Sequence, residues 1–177
     1  VLWCGASVTS DHRRVRCLPL PNQISEQRLH FEQPLADLPV DAIIYCTGYE
    51  YDLPFLDETL VQVNDNFVTP LYQQIIPIEW PRLGLIGLPF LVVPFPLYAM
   101  QARWFVRTID GQVVLPDAQT MLAKSLAEQK ALIAEGVQQR HLHRLGDRQQ
   151  GYYNQLASQC GEPALPDSFS ELAQQAQ

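Results

Sequence analysis

Thr47-Gly48-Tyr49 is where residue types and spacing in this sequence best suit a ligand. A hydroxyl, a residue without a Cβ and a phenol close the apolar run Val40-Asp41-Ala42-Ile43-Ile44-Tyr45-Cys46, and the chain continues as Glu50-Tyr51-Asp52-Leu53-Pro54-Phe55-Leu56. Glycine lets a backbone approach a bulky group closely. The chemistry expected is therefore binding by backbone amides and a hydroxyl, not attack by a side chain. Residues 42–46 lack polar alternation, which predicts a strand covered on both faces in a parallel α/β sheet. Such sheets take ligands at the carboxyl ends of their strands, where Thr47, Gly48 and Tyr49 fall.

Other chemistries find little support. Cys4, Cys17, Cys46 and Cys160 are widely spread and form no C-x-x-C, so they predict a reducing compartment, with Cys46 as a small buried hydrophobe. His141 and His143 are a lone H-x-H pair, whereas structural zinc wants four ligands at characteristic spacings; no metal is expected. Twelve basic against nineteen acidic side chains, a formal charge of -7, argue against a nucleic-acid surface. The short clusters Arg13-Arg14-Val15-Arg16 and Arg140-His141-Leu142-His143-Arg144 read as solvated faces, with phosphate binding as the alternative.

The elements that would position these residues are legible in part. Residues 83–102 carry no formal charge over the length of a membrane span. Gly84, Gly87, Pro89, Pro94 and Pro96 would break a lipid-exposed helix, so the stretch predicts strand, loop, then helix. Short strands are expected at 1–4 (leading into Gly5-Ala6-Ser7), 15–20 and 28–31, a strand pair at 61–70 around Asn64-Asp65-Asn66, and a second buried strand at 83–87. A largely buried helix is expected at 97–109, with Pro96 at or just before its first turn and Gly111 past its end. Asp117 is an N-cap for a helix running to near Gly136 on the outside of the fold, with Met121, Leu122, Leu126, Leu132 and Ile133 on its apolar side. A further helix at 151–160 stops at Gly161, and Asp167 caps a short final one. The first residues make no signal peptide and include no initiator Met, so the chain is expected to be cut or incomplete.

With these motifs in view, the sequence resembles the carboxyl-terminal part of the flavin-containing monooxygenases, closest to the soluble plant and microbial members. The matches follow family order: Asp41-Ala42-Ile43-Ile44-Tyr45-Cys46-Thr47-Gly48-Tyr49 with Pro54-Phe55-Leu56, then Leu71-Tyr72, Leu85-Ile86-Gly87-Leu88 and Pro94-Phe95-Pro96. Gln101-Ala102-Arg103-Trp104, Leu115-Pro116, Tyr153-Asn154 and Gln159-Cys160-Gly161 complete the series, which covers about residues 28–165. The resemblance implies an α/β fold, the carboxyl-terminal part of a Rossmann-like flavoprotein with two dinucleotide-binding domains, ending in helices. It implies that 1–46 is the tail of the NADPH-binding domain, 47–110 the closing strand and helix of the FAD-binding domain, and 111–177 a helical segment.

FAD and NADPH are the implied cofactors, with O2 and a small molecule carrying a soft nitrogen or sulfur nucleophile as substrates. The flavin supplies the hard chemistry, and the protein holds the nicotinamide, excludes water and leaves a channel. Thr47, Gly48, Gly87 and Gln101 are implied to lie at the cofactors, Tyr49 and Tyr51 on the substrate side, and no catalytic side chain is required. Trp3, Trp80 and Trp104 read as packing. The nine glycines include no G-x-G, so both pyrophosphate fingerprints are missing. At Gly5-Ala6-Ser7, Ala6 stands where the family usually places an arginine for the 2′-phosphate, leaving Arg13, Arg14 or Arg16 as substitutes. Three readings stay open: part of a longer enzyme or one completed by a complementary chain with the fingerprints; a non-catalytic remnant or interaction domain; or a Baeyer-Villiger or N-hydroxylating relative, less favoured by the Pro94-Phe95-Pro96 and Gln101-Ala102-Arg103-Trp104 context. The polar carboxyl end, against the apolar anchor of animal members, predicts a cytoplasmic protein without a membrane partner.

Overall fold

A computed structural model of the protein describes residues 2–4, 16–32, 34–45, 48–166 and 168–169. These form two compact units, Val1–Gly48 and Tyr49–Gln177.

In the first unit β1 (Leu2–Cys4) pairs in parallel with β2 (Arg16–Leu18), Trp3 opposite Cys17. An antiparallel sheet places β4 (Arg28–His30) between β3 (Gln23–Ser25) and β5 (Leu38–Pro39). Glu26 and Gln27 turn the β3–β4 hairpin with φ of 43° and 61°, the positive values that a two-residue turn between right-twisted strands requires. Leu29 and Phe31 are buried. His30 is held by Ser25 Oγ at 2.7 Å from Nε2 and by Asp37 Oδ2 at 2.8 Å from Nδ1.

The apolar run does not form the expected buried strand. Residues 42–45 have no regular structure and are exposed, Ile44 to 86%. Strand propensity is chiefly packing against neighbouring strands, and no described strand pairs with this segment. Cys46 and Thr47 lie outside the described residues, as do Gly5-Ala6-Ser7, Arg13, Arg14 and Asp167.

The second unit begins with two small antiparallel pairs. β6 (Gln62–Asn64) and β7 (Phe67–Thr69) are the expected strand pair, joined by Asp65 and Asn66 at φ 47° and 57°, which these residue types tolerate. β8 (Leu71–Tyr72) pairs with β9 (Ile76–Pro77). The strand expected at 83–87 is instead irregular: Leu85 N–H donates to the Ile75 carbonyl at 2.8 Å, and no described ladder extends that bond.

Three helices follow. α1 (Pro94–Ile109) starts earlier than expected because Pro94 and Pro96 occupy its first turn, where a residue without an N–H leaves no orphan donor. It ends as expected at Gly111, φ 73°. Leu97, Met100, Gln101 and Trp104 face inward at i, i+3, i+4 and i+7, while Phe95, Val106 and Ile109 are exposed. α2 (Ala118–Ala134) is capped by Asp117, whose Oδ1 accepts from Thr120 N–H at 2.8 Å. It buries Met121 and Ser125 and leaves Leu122, Leu126 and Ile133 exposed, a correction to the expected apolar side. The helix is rotated toward Ser125 because its hydroxyl donates to the Leu71 carbonyl at 2.8 Å. α3 (Gln149–Gln159) stops at Gly161, φ 65°, and packs on α1. Trp104, Met100, Met121, Leu156 and Ala157 join Tyr72, Ile75, Ile76 and Ile78 in the main core.

Candidate cofactor site

The segment leading into α1 has no regular structure of its own, yet nearly every residue from Gly87 to Val93 is held by a group from elsewhere in the second unit. Gly87 N–H donates to Gln101 Oε1 at 3.0 Å, Tyr51 OH donates to the Leu88 carbonyl, and Tyr98 OH donates to the Pro89 carbonyl at 3.1 Å. Phe90 N–H then donates to the His143 carbonyl at 3.1 Å, and the Phe90 and Leu91 carbonyls accept from Leu145 and Gly146 at 3.1 and 3.0 Å. Val93 N–H donates to Gln149 Oε1 at 2.8 Å.

Behind Gln101 the bonding continues: its Nε2 donates to Tyr152 OH at 2.8 Å, and that hydroxyl donates to the Gln73 carbonyl at 2.7 Å. Tyr51 is tied at both ends, since its own N–H donates to Asn66 Oδ1 at 2.6 Å. Burial, and then the neighbouring Tyr98, push the Tyr51 phenol up to about 12; burial also raises Tyr98 and Tyr152. All three phenols therefore stay protonated and remain donors across the ordinary pH range.

His143 braces the same loop from below. Its Nε2 accepts from Val68 N–H at 3.0 Å, so Nδ1 carries the proton and donates to Gln74 Oε1 at 2.9 Å. Burial lowers it to about 4, and its ring meets Tyr51 edge-on at 5.4 Å and Phe67 at 4.7 Å.

The structure brings three of the expected site residues together. Gly87, Gln101 and Tyr51 converge on the turn 87–89, Gln101 being fully buried with both ends of its amide engaged inside the protein. Tyr51 also lines an open cavity of about 420 Å³ with Leu53, Leu56, Val61 and the carboxylates Asp52 and Glu58. Tyr49 is 99% exposed. Gly48, at the end of the first unit, has φ 87° and open space where a Cβ would stand. Tyr98 and Tyr152 carry no sequence signal as site residues, and His143 none for its role as a brace; their partners lie nine or more positions away in sequence. Of the expected basic cluster, Arg140 and Arg144 are exposed and His143 is buried. Arg144 and Arg148 line an open cavity of about 570 Å³ together with Glu135 and Asp147, so its charges offset. Trp104 packs in the core as expected, and Trp80 is at the surface, half exposed. Among the described residues no group of His, Cys, Asp and Glu could hold a metal, and no helix is long and apolar enough to cross a membrane.

A flavin ring fits what this loop offers. Gly87 is at φ 90°, a Cβ placed there would stand 3.6 Å from the Tyr98 ring, and the N–H of the next residue, Leu88, has no acceptor among the described residues. A backbone amide without a partner in the chain is open to an acceptor from outside it. The pyrophosphate of a dinucleotide finds no such provision, because the sequence has no G-x-G.

A parallel strand pair in the first unit and small sheets with three helices in the second make a mixed α/β fold. The model of the family "FMO-like: Flavin-binding monooxygenase-like" matches residues 14–169, and the chain belongs to that family. Two relatives from Arabidopsis thaliana, flavin-containing monooxygenases FMO GS-OX-like 3 and GS-OX-like 5, are 41% and 40% identical over 126 residues, 70% of this chain and 28% of each relative. The solved structure of S-allyl-L-cysteine S-oxygenase from Allium sativum superposes with a TM-score of 0.84 at 29% identity, covering 96% of this chain and 39% of that one. The chain thus has a partial flavoprotein fold from a family of oxidoreductases, and it spans well under half the length of these relatives.

Proposed function

We propose that this chain is the ring-facing part of an FAD- and NADPH-dependent monooxygenase whose substrate presents a soft nucleophile, a thioether sulfur ahead of an amine nitrogen. One observation carries the reading: in a chain of this family, the braced Gly87-Leu88 turn combines a glycine at positive φ with a Leu88 N–H that no described group accepts from. Sulfur is favoured because the Allium sativum protein is an S-oxygenase.

Bound flavin would supply oxygen activation and transfer to the nucleophile. Thr47, Gly48 and Gly87 would meet the cofactors through backbone and hydroxyl, Gln101 would hold Gly87, and Tyr49 and Tyr51 would border the substrate side. The buried Leu88 and Pro89 would keep water from the ring. No side chain here needs to act as acid or base: Tyr51 is already a donor to backbone and keeps its proton. Residues 1–46 would be the tail of the NADPH domain, 47–110 the closing part of the FAD domain, and 111–177 its helical extension. The pyrophosphate-binding fingerprints would come from elsewhere in a longer enzyme or from a complementary chain. A cytoplasmic location suits Cys160, a free buried thiol.

The absence of any G-x-G favours one second reading, a non-catalytic remnant that has kept the packing and lost the cofactors. Incubating the chain with excess FAD and passing it through gel filtration tests whether it has a flavin surface of its own. Flavin absorption in the protein peak is expected, and a colourless peak would sink the cofactor role of this chain on its own.

A further inference from the structure

We propose that Gln101, Tyr51 and Tyr98 are positioning residues for the cofactor, fixing the backbone of Gly87-Leu88-Pro89 so that the Leu88 N–H is presented to an acceptor on the flavin ring. The inference rests on the flavin reading above and deepens it. Three consecutive residues each have one backbone group tied to a side chain: Gly87 N–H to Gln101, the Leu88 carbonyl to Tyr51 and the Pro89 carbonyl to Tyr98. A turn without strand or helix bonds ordinarily leaves its polar groups to water. This one has instead been fixed by three side chains, two of them from α1, and preorganisation of that kind serves a ligand that must be met at a set distance and angle.

Counting donors narrows the contact to one atom. Proline has no N–H, and the Gly87 N–H is spent on Gln101, so between 87 and 89 only Leu88 has a donor left. The direction of the Gln101 amide is also set. Tyr152 donates its proton to the Gln73 carbonyl, so it can only accept from Gln101, which turns Nε2 toward Tyr152 and Oε1 toward Gly87. The chain Gln73, Tyr152, Gln101, Gly87 therefore joins the β8–β9 turn, α3 and α1 to the presented amide.

The test is an FAD titration of the isotope-labelled chain, followed by amide resonances, hydrogen exchange and the visible flavin band. In the wild type the Leu88 amide should shift and become protected as FAD binds. Gln101→Met should raise exchange at the Gly87 amide even without flavin, weaken FAD binding about ten-fold for the lost hydrogen bond, and move the flavin band. Tyr98→Phe, which removes one hydroxyl from a half-buried ring, should do the same more weakly; it carries the test if Gln101→Met does not fold. A wild type that binds FAD with its Leu88 amide unchanged overturns the inference. So do variants that keep wild-type affinity and band position although the Gly87 amide has been released. A wild type that takes up no FAD overturns a flavin site in this chain on its own, and this inference with it, an outcome distinct from failure of the positioning alone.

Discussion

His143 joins parts of the chain that are far apart in sequence: it receives the Val68 N–H, gives its own proton to Gln74, and its backbone carbonyl receives Phe90. A cation there would have to give up the bond from Val68, and burial has already driven the imidazole from 6.5 to about 4. The consequence for stability has a definite sign. The unfolded chain binds a proton near pH 6.5 while the folded one resists until about pH 4, so stability is complete above 6.5 and falls as acid is added through that window. The loss is on the order of 3 kcal/mol if the whole shift is realised. Denaturant unfolding at pH 7 and at pH 4.5 should show it. His143→Gln should be less stable than wild type at pH 7 and should lose less on acidification; equal losses in both proteins would place the acid sensitivity in the carboxylates.

At the scale of elements, the approach of 83–87 to α1 is set by Gly84. A Cβ built there would lie 2.8 Å from the ring of Phe105, at the Cγ and Cδ1 end that cannot swing away without moving the side chain's base. Gly84→Ala should cost roughly 1–3 kcal/mol through overpacking, and Phe105→Leu in the same chain should recover part of it. Thermal melts of the two single variants and the double would show the coupling; additive losses would mean that the ring and the glycine do not meet. The same region shows what a sequence can and cannot disclose. α1, α2 and α3 were readable because their signals are local: Pro96 and Gly111, Asp117, and Gly161 act within one turn of the residues they cap. The strands expected at 42–46 and 83–87 rest on apolar runs, but a strand exists only when paired with another strand, and none of the described ones pairs with them. Gly87, Gln101 and Tyr51 stood out by motif. Their joint role did not, because Gln101 meets Tyr152 fifty-one positions on and Tyr51 meets Leu88 thirty-seven on.

For the molecule as a whole, the telling feature is how much apolar surface α1 leaves to water. Phe95 is 85% exposed, and Val106 and Ile109 about half, on a helix whose opposite face is fully packed. Ala102 lies between them at helical spacing, so the four form one stripe at 95, 102, 106 and 109. A contiguous apolar stripe of this kind marks a surface built to be covered. The relatives are more than twice as long as the part this chain matches, so they have further polypeptide with which to cover such a face. Alone in solution, the chain should cover it with another copy of itself. Sedimentation velocity over a range of concentrations should show reversible association, and Val106→Lys with Ile109→Lys should abolish it while leaving the melting temperature within a few degrees. The charges fall on exposed positions whose replacement leaves Trp104 and Met100 undisturbed. A wild-type chain that sediments as a monomer at every concentration would mean that the stripe, though apolar, is too narrow to drive association.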